Sequence, residues 1–404
     1  MVQMSVFFRN FAPSFGNYCH QAIMNETKNK RLLSLDVLRG LTVAGMILVN
    51  NGYGESFEML QHSKWNGMTP CDLVFPFFLF IVGVSCYLSM SKLNFKPSRP
   101  TLLKVLRRTV LLFALGLFIN WFDHAIEGDL LCFGHLRLWA VLQRIALCYF
   151  FASLFALYVS HRYTIHTIIG LLAVYALILL WGNGYAEDAS ANILAQVDIS
   201  LFGTEHLYHK SPVDPEGLLG TISGVAHVLL GFWCGQQIKQ RKNIEEKTLA
   251  VFALGAVCVV GGYLLSYGLP LNKRIWSPSY VLMTCGLCAL LLALFINEER
   301  RTKNEEFASA IQSGEGKAAA NSSLFTLHSS FFRVFGVNAL AIYASSELLA
   351  ILFWHFGISD VIYNALHSVI PWDKWASLAY ALTFMGINFL IGYILWKRKI
   401  FIKL

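Results

Sequence analysis

Ten stretches of mostly apolar residues recur along this chain, and they constrain its fold more than any other feature. Each is about 18 to 22 residues long, enough for a helix rising roughly 1.5 Å per residue to cross the roughly 30 Å hydrocarbon layer of a bilayer. They fall near 35–53, 72–91, 102–122, 138–159, 163–182, 217–238, 247–267, 276–297, 331–353 and 375–396. Only 14% of the chain is charged, well below the quarter or so expected of a soluble domain. The expected fold class is all-α: a polytopic membrane protein with about ten transmembrane helices in one bundle.

The cations give that bundle an orientation. Lys and Arg in short loops stay on the cytoplasmic side. With both termini placed inside, 25 of the 32 fall on cytoplasmic segments and six outside, namely Lys64, Arg137, Lys210, Lys273, Arg274 and Lys374, with Arg144 inside a span. The expected organisation is a cytoplasmic segment over 1–30, a transmembrane domain over 31–396 and a cytoplasmic tail over 397–404. Residues 298–330, polar and of mixed charge, read as a mobile cytoplasmic connector. The start lacks a basic stretch followed by an apolar core and a small-residue cleavage site, so no cleaved signal peptide is expected. The basic inner face is explained by topology, and nucleic acid is not an expected partner; membrane lipid is.

Cysteine and histidine counts suggest no metal. The nine cysteines are an odd number and lie mostly inside spans, where they act as small apolar residues. Cys285 and Cys288 share a helix face without a second ligand pair, and His206 and His209 have metal-like spacing without further ligands.

Ionisable residues inside spans are costly, and each is a functional candidate with a structural ion pair as its rival. Asp36 and Arg39 stand three apart on one face of the first span, suited either to a mutual salt bridge or to presenting a cation to an anionic ligand. Gln143 and Arg144 are buried in span four. Asn338 and Glu347 are buried in span nine, with Glu347 the candidate partner of Arg144. His227 in span six reads as a hydrogen-bonded core residue. At the outer end of span one, Asn50 and Asn51 precede two glycines. His62 follows in the loop, and Asp72 opens span two. A folded-back loop would set His62 against Asp72 and Asn50 across a small vestibule.

These residues lie in blocks of sequence that carry a resemblance. "SLDVLRGLTVAGMILVNN", "WNGMTPCDLVFPFFLFIVGVS", "LQRIALCYF", "DPEGLLGTISGVAHVLLGFWCG", "PLNKRIWSPSYVL" and "GVNALAIYASSELL", in this order from about residue 31 to 396, resemble the heparan-alpha-glucosaminide N-acetyltransferase family in its bacterial form. The resemblance implies an enzyme of the bacterial cytoplasmic (inner) membrane in which acetyl-CoA, the co-substrate, engages from the cytoplasm and the acetyl group reaches the amine of a glucosamine-type sugar outside. It also implies that His62, in the loop before "WNG" (Trp65, Asn66), is the active histidine and that Asn50, or Asn51, is its companion. A homodimer is compatible with it. The departures are the missing large amino-terminal region and the differing "HSKW" and "MTPC" surroundings, which leave the acceptor sugar undetermined.

Elementary chemistry makes the same demand of His62. An amine attacking a thioester must lose a proton, and imidazole suits that task near neutral pH. His62 is a general base or a nucleophile that carries the acetyl group as an acyl-imidazole, and the spacing leaves both open. Asp72 would hold the ring tautomer and Asn50 would donate to a developing oxyanion. Arg39, Lys104, Arg107 and Arg108 are the candidates for the CoA phosphates. Arg144, Glu347 and Asn338 equally suit a midplane sugar site, so an inner-membrane transporter of amino sugars such as N-acetylglucosamine or N-acetylmuramate is the alternative. No internal repeat between the two halves supports it.

Overall fold

The computed structural model describes residues 32–209, 211–313 and 324–402. They form α1 (Leu33–Asn50), α2 (Val74–Ser91), α3 (Arg99–Ile126), α4 (Val141–Tyr158), α5 (Thr164–Trp181), α6 (Ile193–Phe202), α7 (Gly220–Gln240), α8 (Ile244–Leu265), α9 (Pro278–Ser313), α10 (Leu324–Val337), α11 (Ala339–His355), α12 (Ile358–His367) and α13 (Asp373–Lys397), with short 3-10 turns and no strand among the described residues. The fold is all-α, as the apolar stretches predict.

Seven of these helices are long and apolar enough to cross a bilayer, or eight spans if the bent pair α10–α11 counts as one. Helices α3 and α7 cover the other two expected stretches without joining that set. Helix α3 carries Lys104, Arg107 and Arg108 in its first half and Asp123 near its end, while α7 contains His227 and closes on Gln236, Gln237 and Lys239.

Helices α2 and α7 form the most extensive contact at the centre, with α4, α5 and α9 packed around them. Their backbones touch through glycines. A Cβ on Gly83 would lie 2.0 Å from the Val228 carbonyl oxygen, and one on Gly231 would lie 2.1 Å from that of Phe80. Such small-residue crossings are what holds helices together when the surrounding solvent is as apolar as the side chains.

One expectation needs correction here. The ninth stretch is not one straight span: it breaks at Asn338, where α10 and α11 diverge by 83°. The Asn338 side chain explains this, because its amide donates to the Ile400 carbonyl at 2.9 Å and its oxygen accepts from the Ile402 N–H at 2.9 Å. It thereby pins the chain after α13 instead of lining a polar path. Within the connector 298–330, α9 runs on to Ser313 and α10 begins at Leu324. Glu299 on that extension accepts the Ser34 N–H at 3.0 Å, satisfying one of the orphan donors in the first turn of α1. Residues 314–323, the segment 1–30 and the last two residues lie outside the described ones.

The loops after α1, α3, α5 and α8 gather at one end of the bundle. Trp65 plugs them together, with Tyr175, Leu179, Leu194, Val213 and Ile275 forming a small second core.

Candidate active site

The sequence Thr69-Pro70-Cys71-Asp72 fixes the site's centre. Thr69 caps the 3-10 turn Pro70–Leu73 in a reciprocal capping box, with Pro at the position where a missing N–H does no harm. Asp72 therefore has one oxygen saturated locally: Oδ2 accepts from the N–H groups of Ser63 and Thr69 at 3.1 and 3.0 Å and from the Thr69 hydroxyl at 3.1 Å. Its other oxygen faces His62 Nδ1 at 2.7 Å. The carboxylate is wholly buried while the imidazole is about half exposed. This is the arrangement that fixes an imidazole as the Nδ1–H tautomer and leaves Nε2 for chemistry.

Lys273 completes the group. Its Nζ lies 3.0 and 3.2 Å from the two ring nitrogens of His62 and 3.5 Å from Asp72 Oδ1. A reacting atom bound at the imidazole is thus also within reach of an ammonium donor. The loop carrying Lys273 is held by Asn272, whose side chain accepts the N–H groups of Arg274 and Ile275 and donates to Asn66 Oδ1 at 3.2 Å. Gly67 N–H adds a 2.7 Å bond to the Leu271 carbonyl. The two loops that supply His62 and Lys273 are therefore one clamped unit.

His62, Asp72 and Lys273 line a cavity of about 330 Å³. Asn50, Gln143, Tyr343 and Glu347 also line it, as do Arg137 and Arg274. Arg137 lies between Glu216 and Asp214 at 2.9 and 3.2 Å and over the Tyr208 ring. Burial works against its charge, but the two carboxylates outweigh that and hold its pKa above the usual value. Glu347 accepts a long bond, 3.4 Å, from the Asn50 amide.

The family described as "Acyltransferase domain" matches residues 32–397. The chain belongs to that acyltransferase family. It is 26% identical over 450 aligned positions to the heparan-alpha-glucosaminide N-acetyltransferase of Mus musculus, covering 95% of this chain and 62% of that protein. To the same-named protein of Homo sapiens it is 27% identical over 435 positions, covering 93% and 60%. The chain thus spans about three-fifths of the length of these relatives.

Within this acyltransferase domain the residues expected from sequence divide sharply. His62, Asp72, Asn50, Gln143 and Glu347 share the cavity. Asn51 turns back to cap α1 through the Ile47 carbonyl, so Asn50 is the one presented. Trp65 is buried and donates to the Tyr185 carbonyl at 3.0 Å, and Asn66 bonds Asn272; both position loops and neither lines the cavity. Arg144 does not pair with Glu347. Its guanidinium donates at 3.0 Å to the carbonyl of Gly217, in the loop leading into α7, and lies over Trp276. Asn338 lies away from the cavity, at the break described above. His227 is a core residue bonded to the Pro76 carbonyl at 2.8 Å, and no group of three or more His, Cys, Asp or Glu suited to a metal occurs among the described residues.

At the opposite end, Arg39 bonds Asp36 at 2.9 Å and also Ser85 at 2.8 Å, so the salt bridge forms and the cation still reaches toward α2. Lys104 and Arg107 are exposed, and Arg108 is half-buried over Tyr149 with its Nε buried and unpartnered. Lys273 was missed as a site residue. The signal was present: of six cations placed on the side where cations are scarce, three, Arg137, Lys273 and Arg274, line this cavity.

Proposed function

We propose that this protein is a multi-pass N-acetyltransferase of a bacterial cytoplasmic membrane, moving an acetyl group from cytoplasmic acetyl-CoA to the amine of a glucosamine-type sugar on the other side. The observation that carries the reading is the His62–Asp72–Lys273 group at one cavity wall, in a chain whose relatives are N-acetyltransferases. Acetyl-CoA would supply an activated thioester. His62, fixed by Asp72, takes the proton that the amine loses as its nitrogen bonds the acetyl carbon and the carbon–sulfur bond breaks; the departing thiolate then takes up a proton. In the two-step form, His62 Nε2 itself bonds the acetyl carbon first and the amine displaces it. Lys273 and the Asn50 amide supply donors for the oxyanion of either tetrahedral state.

The residues present fit the donor's phosphates as well. Arg108 has an unpartnered buried Nε, and Lys104, Arg107 and Arg108 recur at helical spacing on α3 at the end of the bundle opposite His62. Protein reconstituted in liposomes with labelled acetyl-CoA should transfer label to glucosamine, and His62→Ala should abolish transfer while the protein stays folded. Unchanged transfer in that variant would remove the assigned role. Sugar accumulation that needs no acetyl-CoA would favour the transporter instead.

A further inference from the structure

A second cavity of about 360 Å³ adjoins the first, and Asn50 lines both. Its walls are the ends of three helices: α1 at Asn50–Gly52, α3 at Asp123 and Glu127, and α11 at Trp354 and His355, closed on the far side by Ser359 and Tyr380. These are C-terminal ends, where the helix dipole is negative. Two carboxylates at such a place run against the dipole, which favours cations there, and Asp123 and Glu127 are both more than half exposed. The group that meets them is His355, with Nε2 at 3.0 Å from Asp123 and Nδ1 at 3.9 Å from Glu127. No Lys or Arg is among the described residues lining this cavity. One histidine facing two carboxylates leaves this wall acidic, which suits a cationic ligand.

The rest of the wall identifies the ligand's other half. Tyr53 lies 6.2 Å from Trp354, 5.4 Å from Tyr380 and 5.0 Å from Tyr363, and its hydroxyl donates to Asp360. Trp354 is about two-thirds exposed, so its ring face is open to a ligand. Aromatic faces beside carboxylates suit a compact cation with an apolar ring face. An amino sugar in its ammonium form has both.

We propose that this second cavity is the amine-sugar entry subsite, where Asp123 and Glu127 hold the ammonium and Trp354 and Tyr53 supply the ring platform before the sugar passes Asn50 to His62. The subsite deepens the transferase reading and rests on it for the sugar's destination. Selection then occurs before reaction: the acetylated product, having lost its charge, no longer fits the acidic wall and is released.

The test is equilibrium binding of glucosamine and of N-acetylglucosamine to the full chain in lipid nanodiscs, without acetyl-CoA, followed by tryptophan fluorescence and calorimetry. Wild type should bind glucosamine about tenfold or more tightly than N-acetylglucosamine. Asp123→Asn combined with Glu127→Gln should erase that preference, and Asp123→Asn alone should reduce it. Trp354→Ala should weaken both sugars by a similar factor. Equal binding of the two sugars by wild type, or a preference that survives loss of both carboxylates, overturns the subsite. Acetyl transfer in the absence of any binding preference would overturn this inference and leave the transferase reading standing. A carboxylate-dependent preference in a protein that transfers no acetyl group would do the reverse.

Discussion

Two cavities of similar size meet at Asn50, and they differ in how their charge is composed. The first sets Lys273, Arg137 and Arg274 among Asp72, Glu216 and Glu347 around His62; the second presents Asp123 and Glu127 around His355, with no Lys or Arg among the described residues lining it. The first is also held rigidly, because Asp72 is saturated by the capping box and the Lys273 loop is clamped through Asn272. The second stands on exposed helix ends. The difference separates two tasks that one pocket would perform poorly. Binding an ammonium calls for negative charge, whereas taking its proton and stabilising an oxyanion calls for a base beside positive donors. Asn50, with Glu347 behind it, marks the boundary.

The comparison can be broken most strongly at the imidazole. His62→Ala should lower transfer by about 10²–10⁴-fold, the range for losing a positioned acid–base group, and should lower stability modestly because buried Asp72 loses one partner. Lys273→Met should reduce kcat by about 10²-fold with KM little changed, and Lys273→Arg should recover part of it; an equal rise in KM would instead assign Lys273 to substrate binding. Asn50→Ala should cost about tenfold in kcat/KM, while Asn51→Ala, which removes a bond to the Ile47 carbonyl at the wall of the second cavity, should leave kcat unchanged and lower stability by about 1 kcal/mol.

A further effect, read in stability and not in turnover, concerns the loop that carries Glu216. Asp198 on α6 accepts the Leu218 N–H at 3.0 Å, two residues from Glu216. Burial pushes its carboxyl up to about 6, above its unfolded value. Its contribution to stability is thus fully present below about pH 4 and is lost as pH rises through about 6. Asp198→Asn should therefore gain stability relative to wild type between pH 4 and 7, by about 1–3 kcal/mol, measured by thermal unfolding across that range. A difference independent of pH would show that Asp198 does not titrate there.

How much of this was legible in the sequence depended on how locally each feature is encoded. Apolar stretches gave all-helical architecture directly, and the short Thr-Pro-Cys-Asp segment encodes the geometry of Asp72 within four residues. His62 and Asn50 were legible through the resemblance and lie on one cavity. What was not legible depends on which helices touch. Arg144 was expected against Glu347 because both are buried ions, yet its partner is the Gly217 carbonyl in the loop leading into α7. Asn338 reads as a polar group inside a span, but its partners are the backbone of Ile400 and Ile402, some sixty residues away. Trp276 stands near a span end like an interfacial anchor and is instead buried between Phe75 and Tyr280. Lys273 was visible only as an exception, a cation on the side where cations are few.

The division of labour between the cavities is tested most directly by steady-state kinetics with glucosamine as acceptor at saturating acetyl-CoA, comparing the Asp123→Asn, Glu127→Gln double variant with Lys273→Met. The acidic-cavity variant should raise KM about tenfold and leave kcat intact, and Lys273→Met should lower kcat and leave KM intact. If both variants change the same constant in the same proportion, the two cavities act as one site and the account is contradicted.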